Sequence, residues 1–115
     1  MPNPVIHFEV GGSDPAALQS FYASLFDWKI DANNPMQYGM VEAAEGGIGG
    51  GVGPTPDGQK HITWYVQVDD LQAALDKAEQ LGGKTVMGPM DVPDGPSIAQ
   101  FSDPDGNIVG LVKGM

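Results

Sequence analysis

Apolar and polar positions along this chain follow one plan twice, first over residues 4–52 and again over residues 60–113. Each copy opens with an apolar strand, at residues 5–10 or 61–68, and then passes an Asp into a segment with apolar residues at helical spacing. Three short strand-like stretches, separated by Gly and Pro, complete each copy. Repetition at about half the chain length is typical of two copies of one supersecondary unit. The pattern therefore predicts a strand, a helix and three strands, given twice.

The first predicted helix has a clear beginning. Ser13 or Asp14 is a suitable N-cap, and Pro15 fits the first helical position, where its missing N–H is not needed. The apolar residues that follow recur at helical spacing, and we expect them to form core between this helix and the sheet. They are Leu18, Phe21, Tyr22, Leu25 and Phe26.

The second predicted helix is bounded on both sides. Asp69 or Asp70 is suited to cap its beginning, and Gly82 with Gly83 ends it. Farther along, Asp-Pro-Asp-Gly at residues 103–106 separates two apolar runs, which predicts a tight hairpin. Residues 87–96 contain Gly and Pro and are predicted to be irregular.

Length and composition favour a single compact domain over residues 1–115. We divide it into module one (4–53), a linker (54–59) and module two (60–115). A chain of 115 residues that is 41% hydrophobic can bury one core but not two independent ones. It has no cysteine, which excludes disulfides and thiolate chemistry. Neither a membrane-spanning apolar run nor a signal peptide is recognisable, so the predicted location is cytoplasmic.

The net charge limits the classes of partner. Fifteen acidic residues against five basic ones give a formal net charge of −10. Nucleic acids and anionic membrane surfaces would be repelled, so we expect neither as a partner. The charge permits a cationic small ligand, although a solvated acidic surface is the more common explanation.

In this order along the chain, residues 7–14, 21–28, 68–71, 81–84 and 103–106 resemble the vicinal oxygen chelate superfamily. That superfamily includes glyoxalase I, bleomycin-resistance proteins and extradiol dioxygenases, and the most similar subgroup is related to lactoylglutathione lyase. The resemblance implies an α+β fold of two βαβββ modules that form a curved, cup-shaped mixed sheet. It also implies a small organic ligand in the cup and a homodimer.

The resemblance further implies four positions for metal ligands, in the first and last strands of each module. His7 matches the first position. Its equivalent in the second module is Thr63, which has no imidazole. The final acidic position falls on Gly110, and its counterpart in module one falls within residues 49–51, which are all glycine. Only one of the four expected ligands is present, so we expect no standard metal site and no cofactor.

An alternative metal site remains open at this stage. His61 lies two residues before Thr63 on the same strand face, a displacement of about 6.6 Å. Metal–nitrogen bonds near 2.0–2.1 Å do not tolerate such an offset unless the site rearranges. A divalent ion held by His7, His61 and either Glu9 or Glu42 would require that rearrangement.

His7 and Glu9 are the candidate catalytic residues. An imidazole titrates near neutral pH and suits proton transfer, and Glu9 could orient it or act as a base. A histidine on an interior strand face is also commonly a hydrogen-bonded pocket or core residue. Alternation along the second-module strand selects Tyr65 for the cup and predicts Trp64 as core. The full ligand-binding prediction is Tyr38, Met40, His61, Thr63, Tyr65, Gln67, Ile108 and Val112.

Three functional hypotheses follow from the sequence. The first is a metal-independent member of the superfamily that binds a small organic molecule, with catalysis on that molecule left open. The second is a divalent-metal-dependent lyase, isomerase or dioxygenase that uses His7. The third is a non-catalytic, drug-sequestering protein of the bleomycin-resistance type. Resemblance of fold does not choose among them, because function depends on the site.

Overall fold

The computed structural model describes residues 2–114. In this range the chain forms two helices and eight strands, and the predicted order of a strand, a helix and three strands occurs twice. The α+β class and the paired βαβββ plan are therefore confirmed. The elements are β1 (Val5–Gly12), α1 (Pro15–Phe26), β2 (Ile30–Asp31), β3 (Gly39–Val41), β4 (Gly49–Pro54), β5 (His61–Gln67), α2 (Leu71–Gln80), β6 (Lys84–Asp91), β7 (Ser97–Ser102) and β8 (Ile108–Lys113).

The chain divides into two compact units. The first unit is His7–Thr63, and the second contains the chain up to Ile6 together with the chain from Trp64 onward. No helix within residues 2–114 has both the length and the apolar character needed to cross a bilayer.

The sheet of the first unit has the strand order β2-β3-β4-β1. β2 pairs with β3 and β3 with β4 in antiparallel fashion, whereas β4 and β1 are parallel. In the parallel ladder His7 lies opposite Gly49 and Glu9 lies opposite Gly51. Side chains two apart on a strand share a face, so β1 presents His7 and Glu9 together.

The second unit repeats this arrangement with the order β5-β8-β7-β6. β5 and β8 are parallel, and the other two pairings are antiparallel. The predicted hairpin joins β7 to β8: the Asp103 N–H donates to the Asn107 carbonyl at 2.9 Å, and Gly106 takes φ 93°. The prediction of an irregular segment at 87–96 was wrong up to Asp91, because β6 continues through it. Shifts in register on either side of Met87 let this outer strand accommodate Gly and Pro.

α2 packs as the sequence predicts. The Asp70 carboxylate accepts from the Ala73 N–H at 3.0 Å, so Asp70 rather than Asp69 is the N-cap. Gly82, just past the helix, takes φ 104° and ends it. The core of this unit is a buried apolar cluster to which α2, β7 and β8 contribute: Leu71, Leu75, Ala99 and Leu111.

α1 begins as predicted but does not pack as predicted. Asp14 accepts from the Ala17 N–H at 3.1 Å, and Pro15 occupies the first turn. No residue of α1 is buried, and Phe21 and Leu25 are each 58% exposed. The prediction of a helix-on-sheet core was therefore wrong for Phe21, Leu25 and Phe26, whereas Leu18 and Tyr22 are half-buried. The aromatic rings of α1 instead pack on one another and on the next aromatic side chain along the chain, Trp28.

Burial along β5 alternates as expected for a strand. Thr63 and Tyr65 are buried, whereas Ile62 and Trp64 are exposed. The prediction that Tyr65 and Thr63 lie on the same face of this strand was correct. The expectation that Trp64 is core was wrong, because its side chain is 51% exposed.

Candidate functional site

Four side chains of the first unit form one hydrogen-bonded chain. Nε2 of His7 lies 2.9 Å from the hydroxyl of Tyr38. That hydroxyl donates to Oε2 of Glu9 at 3.0 Å, and the other oxygen of Glu9 lies 3.2 Å from Nε2 of His61. We call His7, Tyr38, Glu9 and His61 the polar network. It brings together four of the residues that the sequence singled out, and both histidines of the protein belong to it.

The strands explain why these groups meet. His7 and Glu9 are two residues apart on β1 and share a face, while His61 is the first residue of β5. Tyr38 comes from the segment just before β3, and its ring stacks beside that of His7 with centroids 6.3 Å apart. The shared face of His7 and Glu9 could be predicted from the sequence, because side chains alternate along a strand. The partnership with Tyr38 depends on the tertiary fold.

The electrostatics of the network favour a neutral His7. Burial lowers the pKa of His7 below its usual 6.5, and the nearby charge of Glu9 opposes that shift in part. Glu9 and His61 are both partly accessible, with about a fifth of each side chain exposed (22% and 23%). A neutral imidazole next to a phenol and a carboxylate can accept or donate a proton.

Two residues that hold Tyr38 in place were missed at the sequence level. Asn34 accepts from the Tyr38 main-chain N–H at 2.9 Å and donates to its carbonyl at 2.7 Å. Gln19 of α1 donates to the carbonyls of Gln37 and Val52 at 3.0 and 2.7 Å. The stretch Asn33-Asn34-Pro35 is typical of a loop and carries no further signal. Neither amide belongs to a motif that would reveal its contacts.

Two further predicted ligand-binding residues lie elsewhere in the first unit. Thr63 is buried. Met40 on β3 is exposed and borders an open depression of about 390 Å³. Lys29, Asp31 and Glu42 also line this depression. Within the described residues, it forms a separate surface feature from the polar network.

The remaining predicted ligand-binding residues lie in the second unit. Tyr65 and Val112 are buried, Gln67 is half-buried and Ile108 is exposed. Tyr65 lies opposite Gly110 in the parallel β5–β8 ladder. A shallow depression of about 410 Å³ in this unit is lined by Asp70, Leu71, Gln72, Pro89, Asp91, Ser97 and Lys113. None of these residues was predicted from the sequence to bind a ligand.

The family model described as Glyoxalase/Bleomycin resistance protein/Dioxygenase superfamily matches residues 5–111. The chain belongs to this superfamily. The expected resemblance is confirmed, and the match covers both modules.

Two named proteins and one solved structure are similar to this chain. One carries the name Putative glyoxylase CFP32, from Mycobacterium bovis: it is 32% identical over 108 residues, which cover 86% of this chain and 41% of that protein. Anthracycline biosynthesis protein DnrV from Streptomyces peucetius is 31% identical over 123 residues, covering 91% and 45%. This chain therefore spans less than half the length of these two relatives. The crystal structure of hypothetical protein BH1468 from Bacillus halodurans C-125 superposes with a TM-score of 0.72 at 13% identity, covering 100% and 96%, which shows the shared fold.

The side chains of the first unit do not match the metal-ligand set that the superfamily implies. Gly51, opposite Glu9, has no side chain that could donate to a metal, and Thr63 is not an imidazole. His7 and His61 direct Nε2 at Tyr38 and Glu9. Over residues 2–114, no three His, Cys, Asp or Glu side chains are grouped to hold a metal ion. We therefore derive no chemical step through a metal from this site.

Proposed function

We propose that this chain binds a small organic molecule carrying a polar oxygen group at the polar network and transfers a proton on it, without the superfamily's usual metal site. The observation that supports this most directly is the Tyr38 hydroxyl, which bridges His7 and Glu9 at 2.9 and 3.0 Å. Two imidazoles, a phenol and a carboxylate in one chain of hydrogen bonds provide donors, acceptors and a general base. They are the reactive groups that a metal-independent member needs.

Each group has a role in this proposal. Glu9 is the general base, since a carboxylate can remove a proton from carbon next to a carbonyl. His7 is neutral because burial lowers its pKa, so it can return a proton to the substrate or take one from it. His61 contacts the other oxygen of Glu9 and orients it. Tyr38 lies between Glu9 and His7 and holds the two side chains in a fixed relative position.

The names of the relatives suggest the first probes. One relative is named as a glyoxylase and another as a protein of anthracycline biosynthesis. We therefore choose the adduct of methylglyoxal with glutathione and the aromatic ketone 2-hydroxyacetophenone. Both carry an acidic C–H next to a carbonyl, which is the bond that Glu9 would break.

The experiment measures exchange of that C–H with deuterium from D₂O by proton NMR, using metal-stripped protein. We expect faster exchange than in buffer alone, with the acceleration lost in Glu9→Gln and reduced in His7→Gln. General acid–base groups typically contribute 10²- to 10⁴-fold, so the loss should be large. Glu42→Gln is the matched control, because Glu42 borders the separate depression on β3 and should leave exchange unchanged.

Other outcomes would contradict the proposal and favour a different hypothesis. Exchange that requires added Ni²⁺, Zn²⁺, Mn²⁺, Fe²⁺ or Co²⁺ and His7 would support a metalloenzyme. Binding without exchange, for a cationic aromatic ligand whose affinity falls as salt rises, would support a sequestering protein. A net charge of −10 attracts cationic ligands, which is the reason to measure their binding as a function of salt.

We also propose that α1 forms an interface with a second copy of this chain. Its sequence, PAALQSFYASLF, contains no charged residue, and no position is buried. Two copies that each carry a net charge of −10 repel one another, which favours an interface where charge is absent. Exposed aromatic and leucine side chains on an uncharged helix provide such a surface.

Sedimentation velocity tests this interface. Leu25→Lys should shift the protein toward monomer, because it places a charge on the uncharged face. Leu81→Lys is the matched control: Leu81 is 72% exposed in the second unit and should leave the sedimentation coefficient unchanged. A wild-type monomer at all concentrations would disprove the interface.

A further inference from the structure

Resting on the proposed function, we infer that Tyr38 is the positioning residue of the polar network: its hydroxyl selects the tautomer of His7, so that Nδ1 is the basic ring nitrogen, and Gly51 and Gly53 make room for its ring. This assignment adds roles for Tyr38 and for two glycines that no motif marks. It also specifies which ring nitrogen of His7 carries the hydrogen.

The direction of each hydrogen bond follows from the chemistry of the groups. An ionised carboxylate has no proton and can only accept, so the single proton of the Tyr38 hydroxyl points to Glu9 at 3.0 Å. The hydroxyl oxygen is then an acceptor toward His7, 2.9 Å away, and Nε2 of His7 must carry the hydrogen. A neutral imidazole has only one N–H, which leaves the lone pair on Nδ1.

The glycines of β4 explain how the Tyr38 ring reaches this position. A Cβ added to Gly51 would overlap Cζ and Oη of Tyr38, and a Cβ added to Gly53 would lie 2.7 Å from Cδ1. The ring therefore lies directly over the β4 backbone, where side chains would otherwise stand. Glycine within a strand commonly marks such a close approach.

The main chain of Tyr38 is fixed as well. The side-chain amide of Asn34 makes two hydrogen bonds to the main chain of Tyr38. Its oxygen accepts from the Tyr38 N–H, and its nitrogen donates to the Tyr38 carbonyl. Gln37, immediately before Tyr38, takes φ 54°, a backbone conformation that is uncommon for a residue other than glycine. Asn34 thus holds the ring's attachment point while the glycines provide the space.

The test is the tautomer of His7, recorded in long-range ¹H–¹⁵N correlation spectra of ¹⁵N-labelled protein without ligand. His61→Gln removes the signals of the other histidine and assigns those of His7. We expect the Nε2–H form in the wild type. In Tyr38→Phe, which keeps the ring but removes the hydroxyl and with it one hydrogen bond to His7, the ratio of Nε2–H to Nδ1–H should fall about fivefold. An Nδ1–H wild type, or an unchanged ratio in Tyr38→Phe, would overturn the inference.

The role of the glycines is tested in the same spectra. Gly51→Ala should displace the ring and lower the ratio as Tyr38→Phe does. The control is Gly47→Ala, where the added methyl meets only the Ala44 carbonyl oxygen at an ordinary 3.5 Å. If Gly51→Ala does not fold, Asn34→Ala provides the test, because it frees the Tyr38 main chain without adding an atom. A wild-type ratio in the variant that folds would refute the positioning role.

These spectra are independent of the exchange assay. The expected tautomer together with no probe exchange would count against the proposed function alone. Exchange that depends on Glu9, together with an unchanged tautomer in Tyr38→Phe, would count against the role of Tyr38 alone.

Discussion

The ring of Tyr65 lies against the backbone of Gly110, its partner across the parallel β5–β8 ladder. A Cβ on Gly110 would come within 2.5 Å of Cδ2 and Cε2 of that ring. The ring of Tyr38 likewise occupies the space that a Cβ on Gly51 would need, although Tyr38 is not its ladder partner. Gly110, and the glycine run that contains Gly51, stand where the superfamily resemblance implies acidic metal ligands. In each unit, a tyrosine ring thus occupies the space that a side chain at this glycine would need.

Gly110→Ala should destabilise the protein by about 1–3 kcal/mol, because the added methyl overlaps a buried ring in a packed strand pair. Urea unfolding provides the measurement. Gly88→Ala is the matched control in the same unit: an added Cβ there meets nothing within 4 Å, and its φ is not positive. A loss of stability in Gly88→Ala equal to that in Gly110→Ala would show that the effect comes from the backbone and not from the ring.

Leu75→Ala should cost about 2–5 kcal/mol of unfolding free energy, the usual range for removing a buried leucine side chain. Leu75 is completely buried in the core cluster of α2, β7 and β8. Leu81→Ala, at an exposed leucine just past the same helix, should change stability by no more than about 0.5 kcal/mol. Comparable losses in the two variants would contradict the packing described for α2.

Asp70→Ala should lower stability by about 1 kcal/mol, since it leaves the Ala73 N–H without its capping carboxylate. Asp69→Ala removes the same charge one residue earlier and should have little effect. The sequence left the choice of cap between these two residues open. Denaturation midpoints of both variants, measured at the same pH and salt concentration, check the assignment that the structure makes.

Local signals in the sequence were sufficient to predict the elements of the fold. The Asp–Pro start of α1, the Gly82 end of α2 and the turn at residues 103–106 each depend on chemistry within a few neighbouring residues. The packing of α1 could not be predicted in this way. Helical spacing of apolar residues shows that they share a face, but it does not show whether anything covers that face, and Phe21 remains exposed.

The polar network was predictable only in part. Alternation along β1 identified His7 and Glu9 as neighbours, because two residues on one strand share a face. The hydroxyl of Tyr38 joins them from 31 residues away, and its position depends on Asn34 and on the glycines of β4. No local pattern encodes those contacts. The glycines of β4 provide the space for the Tyr38 ring.

The lowered pKa of His7 predicts how stability depends on pH. In the unfolded chain His7 titrates at its ordinary value of 6.5, whereas in the folded protein burial holds its pKa below that value. As the pH falls below 6.5, the unfolded state binds a proton that the folded state resists, so this group makes stability decrease. We expect the urea midpoint to fall from about pH 7.5 to about pH 5.5, and to fall less in His7→Gln. Equal slopes in wild type and His7→Gln would show that burial does not disfavour the charged form of His7.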